Sequence, residues 1–151
     1  GIAGPTGPQG IAGPTGPTGP ASTVPGPTGP SGVTTECLTF ALSDETSPLV
    51  AGTNKVTFRV PYAFVVTGVK ASLTTAPTGT SVIVDINEGG VSILGTKLSV
   101  DIGAKTSVGS AAPATITDAN LAADAEITFD IDQVGSAIKG AGLKVYITGH
   151  Q

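Results

Sequence analysis

Carboxylates are the side chains in this sequence whose number and spacing could support chemistry. Asp124, Glu126, Asp130 and Asp132 crowd into one short stretch, and Asp85 with Glu88 brackets a glycine turn. On an extended strand, Glu126, Asp130 and Asp132 project from a single face, so calcium could be held with added carbonyl and water oxygens. No Asp-x-Asp-x-Asp-Gly loop accompanies them, and same-face acids are ordinary on a solvated strand, so the reading assigns no metal. Paired carboxylates for glycoside hydrolysis need a groove as well as the right separation. Glycan-cleaving sites also draw on aromatic platforms, and this chain has no Trp and only Tyr62 and Tyr146 as tyrosines.

The other reactive residues offer less. His150 is the only histidine and stands next to last, so it reads as a solvated terminal residue, and no Ser-His-Asp or Cys-His arrangement can be built on a frayed end. Zinc spacings such as CxxC or HxxxH do not occur. The run Gly135-Ser136-Ala137-Ile138-Lys139-Gly140-Ala141-Gly142 is glycine-rich but lacks Gly-x-x-x-x-Gly-Lys-Ser/Thr, and it reads as a hairpin loop between strands. Cys37, the only cysteine, reads as a small hydrophobe in the first strand; an interchain bond is conceivable, although three copies cannot all pair with one another. The expectation is a non-enzymatic protein with no catalytic, cofactor-binding or metal-binding residues.

The elements that would carry these residues form an all-β head over residues 35–151. Val56-Thr57-Phe58-Arg59-Val60 alternates and stops at Pro61. Val65, Val69, Ala71 and Leu73 mark one face of the next strand. Val82, Val84 and Ile86 alternate with Ile83, Asp85 and Asn87, and Glu88-Gly89-Gly90 turns the chain back through Val91-Ser92-Ile93. Leu98, Val100 and Ile102 follow. Glu126 to Asp132 and Leu143 to Thr148 are the cleanest strands, and Asp118-Ala119-Asn120-Leu121 is the one helix candidate. Short strands with regularly spaced turns point to a β-sandwich of jelly-roll type. Phe64 and Val66, Ile83, and the stripe Leu38, Phe40 and Leu42 look surplus to one core, so Phe40, Phe64 and Ile83 are expected at an interface between subunits. The glycine-rich loop, Lys105 to Gly109 and Thr74 to Gly79 are where a binding head would vary its contacts.

Residues 1–34 are of another kind. Glycine recurs at every third position from Gly1 to Gly19, usually followed by proline, and no charged residue occurs before Glu36. Such a period belongs to the collagen triple helix, where only glycine fits at the shared axis. A phase break falls at 22–25, since the step from Gly19 to Gly26 is seven residues, after which Gly29 and Gly32 follow. A collagen strand implies a homotrimer. Ordering costs ~1–2 kcal/mol of backbone entropy per residue, so so few triplets need a trimeric head to set stoichiometry and register. At ~3.1 Å per residue the stalk would be a rod of roughly 100 Å. A chain that opens in mid-repeat, with no leader in view, reads as a portion of a longer stalk. The net charge of −4, without a Lys/Arg cluster in sequence, argues against nucleic acid or an anionic membrane as partner, and no apolar run reaches the ~20 residues of a membrane span.

The head carries a family resemblance. Thr57-Phe58-Arg59-Val60-Pro61-Tyr62-Ala63, Val69-Lys70-Ala71-Ser72-Leu73, Val84-Asp85-Ile86-Asn87-Glu88-Gly89-Gly90, Ile93-Leu94-Gly95-Thr96-Lys97-Leu98, Ala123-Asp124-Ala125-Glu126-Ile127 and Gly142-Leu143-Lys144-Val145-Tyr146 resemble a β-rich module of tailed-bacteriophage virion proteins of the tail-fibre or structural kind. The resemblance spans about residues 36 to 149. It implies an extended trimeric virion fibre on the particle surface, with other virion proteins and a host cell-surface glycan or protein as partners, and it carries over no functional residues. Gly-Pro-Thr triplets before a β-sandwich trimer also resemble the hair-like collagen glycoproteins of bacterial spore surfaces, in which Thr6, Thr15, Thr18 and Thr28 would carry sugar.

Overall fold

A computed structural model describes residues 1–19 and 32–151. The chain separates into two units, Gly1–Ser31 and Gly32–Gln151. In the first, residues 1–19 are exposed and carry no helix or strand; no collagen triple helix is seen in the single chain. The expected phase break at 22–25 and the glycines Gly26 and Gly29 lie outside the described residues.

The second unit is all-β, with eleven strands and no helix among the described residues. One sheet runs in the order β1 (Glu36–Ala41), β11 (Lys144–His150), β3 (Phe64–Ser72) and β9 (Asn120–Leu121). The other runs β2 (Gly52–Arg59), β10 (Glu126–Gln133), β4 (Val82–Glu88) and β5 (Val91–Ser92), with β7 (Leu98–Val100) also paired to β4. A two-stranded ribbon, β6 (Leu94–Thr96) with β8 (Thr115–Ile116), lies beside them. All pairings between these strands are antiparallel. Inward residues of both sheets form one apolar cluster: Val145 and Ile147 of the first meet Val84, Ile86, Ile127, Phe129 and Ile131 of the second. That arrangement is compatible with a β-sandwich.

Local sequence explains the pairings. Gly89 (φ 56°) and Gly90 (φ 86°) both occupy the left-handed region, which a two-residue type I′ hairpin requires, so β4 and β5 pair Glu88 with Val91. In β4, Val82, Val84 and Ile86 are fully buried as their alternation predicts. The strand expected at 56–60 starts earlier, at Gly52, and Ile102 lies beyond β7, exposed in a turn.

Three expectations are corrected. Phe64 and Val66 are core residues, not surplus ones. Thr148 pairs with Gly68 but Gly149 with Val66, so Thr67 is an extra residue in β3. Such a bulge reverses the alternation: Phe64 and Val66 before it share the inner face with Val69 and Ala71 after it, while Val65 turns outward. Phe40 is likewise engaged within the chain, its ring centroid 4.6 Å from Phe129 and 5.0 Å from Phe58. Leu38 and Phe40 pack against the core and Leu42 belongs to it. Of the three expected interface residues only Ile83 stands off the core, half-buried on the outer face of β4 opposite Ser99 and Gln133. Finally, Asp118–Leu121 is not helical. The Asp118 carboxylate accepts a bond from the Asn120 amide at 3.2 Å, closing a turn that favours a non-helical start. Asn120 and Leu121 then pair with Val65 and Phe64, and Leu121 is buried.

Candidate functional site

Of the carboxylates selected by sequence, those of Asp85, Glu88, Glu126, Asp130 and Asp132 are taken up by donors of the chain itself. Asp85, only 4% exposed, accepts from the Ser92 hydroxyl and its neighbour's amide, and Lys97 Nζ lies 2.9 Å from it. The same Nζ lies 2.6 Å from Asp132, so Lys97 clamps β4 to β10. Hydrogen bonding first to Asp132 and then to Asp85 holds the Lys97 ammonium well above the usual lysine range. Asp130 accepts from the Asn54 amide (2.6 Å) and from Asn87 Nδ2 (3.0 Å). Glu126 pairs with Arg59 at 3.0 Å, and Glu88 accepts from the Ala122 amide. Asp124 sits at φ 61°, its carbonyl oxygen receiving Arg59 Nη1. No group of three or more His, Cys, Asp or Glu that could hold a metal ion occurs among the described residues. Asp85 and Asp130 stand directly across from each other, but Asp85 and Asp132 turn to Lys97 while Asp130 turns to Asn54 and Asn87.

His150 and Cys37 also differ from expectation. His150 is not a frayed end: it closes β11 and pairs with Val65, half-buried. The carboxyl-terminal Gln151 donates through Nε2 to Glu36 at 2.9 Å. Tyr62 also donates to Glu36, and these bonds, Tyr62 first, hold the Glu36 carboxyl below its ordinary range; Tyr62 is raised by the same contact. Cys37 is exposed on the outer face of β1, so it is no part of the core.

The loops picked out by sequence do come together. In β1, Glu36 pairs with Gly149 and Ala41 with Lys144, which in turn pairs with Ser72. The connections at 42–51, 73–81, 101–114 and 134–143 therefore leave the sheets at the end opposite Glu36. Segment 73–78 is their hub. Thr74 and Thr75 donate to the Ala141 carbonyl, Thr78 and Ile138 form a bridge, and Leu73 donates to the Lys105 carbonyl. Gly103 donates to the Pro77 carbonyl, and Leu49 to the Gly140 carbonyl. Glycine in the 135–142 loop is required by this packing rather than by a phosphate. Gly142 has φ 67°, and a Cβ there would be driven into Thr74.

Between these loops lies an open cleft of about 370 Å³, bounded by Thr46 and Pro48 on one side and by Ile138, Lys139 and Ala141 on the other. Asp44 and Asp101 brace its surroundings. The amides of Ser47 and Thr46 lower Asp44, and the Ala111 amide followed by the Ser110 hydroxyl lowers Asp101. The loops were legible in sequence as turn-rich segments. Their convergence was not, because it depends on hydrogen bonds between residues as distant in sequence as Ser43 and Leu143 or Leu49 and Gly140. No helix of the described residues is long and apolar enough to cross a membrane. No family model, curated protein or solved structure matches the chain.

Proposed function

We propose that this chain is a non-enzymatic structural fibre of a virion, in which a collagen-like trimeric stalk carries a jelly-roll head for attachment to the host surface. Two features support the stalk and the head. A Cβ on any of Gly1, Gly4, Gly7, Gly10, Gly13, Gly16 or Gly19 would meet nothing within 4 Å in the single chain. Nothing inside one copy demands those glycines, whereas a shared threefold axis does. In the head, β1 to β4 alternate between the two sheets, and β9, β10 and β11 alternate again, which is the strand order of two interleaved Greek keys. The observation that carries attachment is the opposition of ends. The chain enters β1 at Glu36, and the converging loops with their cleft lie at the other end of the same strands.

The acids, paired within the chain, favour binding over turnover. In sedimentation equilibrium the full chain should have three times the 14.7 kDa chain mass; a monomer would overturn the stalk and the trimer together. Saturable, strain-specific attachment of the purified protein to host cells is expected. Trimers that bind no cell would instead make the protein a capsid decoration without a receptor.

A further inference from the structure

Four lysines, Lys55, Lys70, Lys105 and Lys139, make no ion pair among the described residues, and all four stand in or beside the loops opposite Glu36. Lys139 lines the cleft, Lys55 lines a recess with Asp44 and Pro48, and Lys70 lines another with Ser107 and Val108. Lys105 is held by its carbonyl bond to Leu73. Their wide spacing along the chain hides this grouping from any sequence pattern. With Lys144, five lysines stand at that end against three acids, Asp44, Glu45 and Asp101, which leaves an excess of two positive charges; amide donors hold Asp44 and Asp101 in the charged form without cancelling that charge. Arg59 and Lys97, in contrast, are paired elsewhere. A protein of net charge −4 thus presents a cationic end.

The same end gathers exposed aliphatic side chains. Val50, Ile102, Val108 and Ile138 are there, while among the other described residues of the head only Val33 and Val91 are large, apolar and exposed. The cleft's volume of about 370 Å³ is that of a site for a small unit. A stable protein partner would need a patch of about 800 Å². No aromatic ring lines the cleft, so stacking on a neutral sugar is not the means of binding.

We propose, building on the attachment reading above, that these loops bind a polyanionic polymer of the host envelope built of sugar or polyol units. Lys139 and Lys105 meet its charges, and the cleft beside Ile138 takes an uncharged portion of the repeat. Each lysine contributes little alone, and repetition along the polymer and across copies of the head supplies the strength.

The test uses the full chain in a surface-binding assay with three probes: hyaluronan as a carboxylate polymer, poly(glycerol phosphate) as a phosphate polymer, and dextran as a neutral one. One or both anionic probes should bind and dextran should not; the stronger anionic probe tells phosphate from carboxylate. Binding should weaken steeply with added salt. Lys105→Ala and Lys139→Ala, both exposed and unpaired, should each weaken binding about two- to fivefold, and Arg59→Ala at the opposite end should leave it unchanged. An equal loss with Arg59→Ala, or dextran binding as well as the anionic probes, overturns the proposal. Saturable attachment to host cells without binding of either anionic probe overturns the ligand class and leaves attachment standing. Attachment abolished by protease treatment of the cells makes the partner a protein and also overturns it. Absence of binding to cells and probes alike sinks both readings.

Discussion

The bridge made by Lys97 shows how acidic residues, here Asp85 and Asp132, can look like ligands in sequence and be structural groups in the fold. The Lys97 ammonium sits between them, and Asp85 is almost fully buried. Removing the cation leaves a buried carboxylate held only by hydroxyl and amide donors. Because Lys97 is itself 45% exposed, solvent screens part of the loss. Lys97→Ala should therefore destabilise by about 1–3 kcal/mol, read as a lower urea midpoint with an unchanged slope. Asp101 makes a pH-dependent prediction. Its carboxyl lies below the ordinary value because the Ala111 amide and the Ser110 hydroxyl bond the charged form. Stability from that group is present above the unfolded value of about 3.9 and is lost as pH falls through the lower folded value. Melting temperatures of the native protein and of Asp101→Asn should differ at neutral pH and converge as pH falls to about 2. Parallel curves over that range would show that the carboxylate is not responsible. Lys97 acts in the opposite sense: its raised value adds stability that fades only in strong alkali.

At the level of strands, period-two patterning was enough to find β4, β10 and β11: burial alternates throughout β11, and in β4 and β10 the apolar residues keep the period although Asp85, Asn87 and Thr128 between them are buried as well. It failed in β3, where Thr67 breaks the alternation. A bulge is set by what the neighbouring strand offers, here Thr148 and Gly149, and a single strand's sequence carries no mark of it. Gly149 is the nearest to a signal: a Cβ there would strike the Phe64 ring. The contrast is testable. Phe64→Ala should cost about 3–5 kcal/mol, whereas Val65→Thr, one residue on but facing outward, should cost less than about 0.5 kcal/mol. Equal costs in chemical denaturation would remove the bulge from the account. The short β9 was misread for a related reason. Asp-Ala-Asn-Leu is compatible with a helical turn, and pairing with the edge of β3, which is non-local, decides otherwise. The same holds for the candidate site, whose loops were each visible as turns while the hub at 73–78 that unites them was not.

On the scale of the molecule, the two units differ in what holds them. The head has a contiguous core of its own, whereas residues 1–19 bury nothing within the single chain. Gly10→Ala separates the possibilities for the latter. Alanine is sterically free there in one copy, so an isolated extended strand would be indifferent to it. A triple helix would not, and the change should lower the stalk's melting temperature while leaving that of the head unchanged. No shift in either transition would refute a shared axis. The bond from Gln151 to Glu36 has a practical corollary. Because Gln151 lies where β1 begins, a peptide joined to it would emerge beside Glu36, away from the converging loops. Cargo meant to face outward belongs in an exposed tip such as that between Val108 and Gly109, where insertion leaves every strand pairing intact.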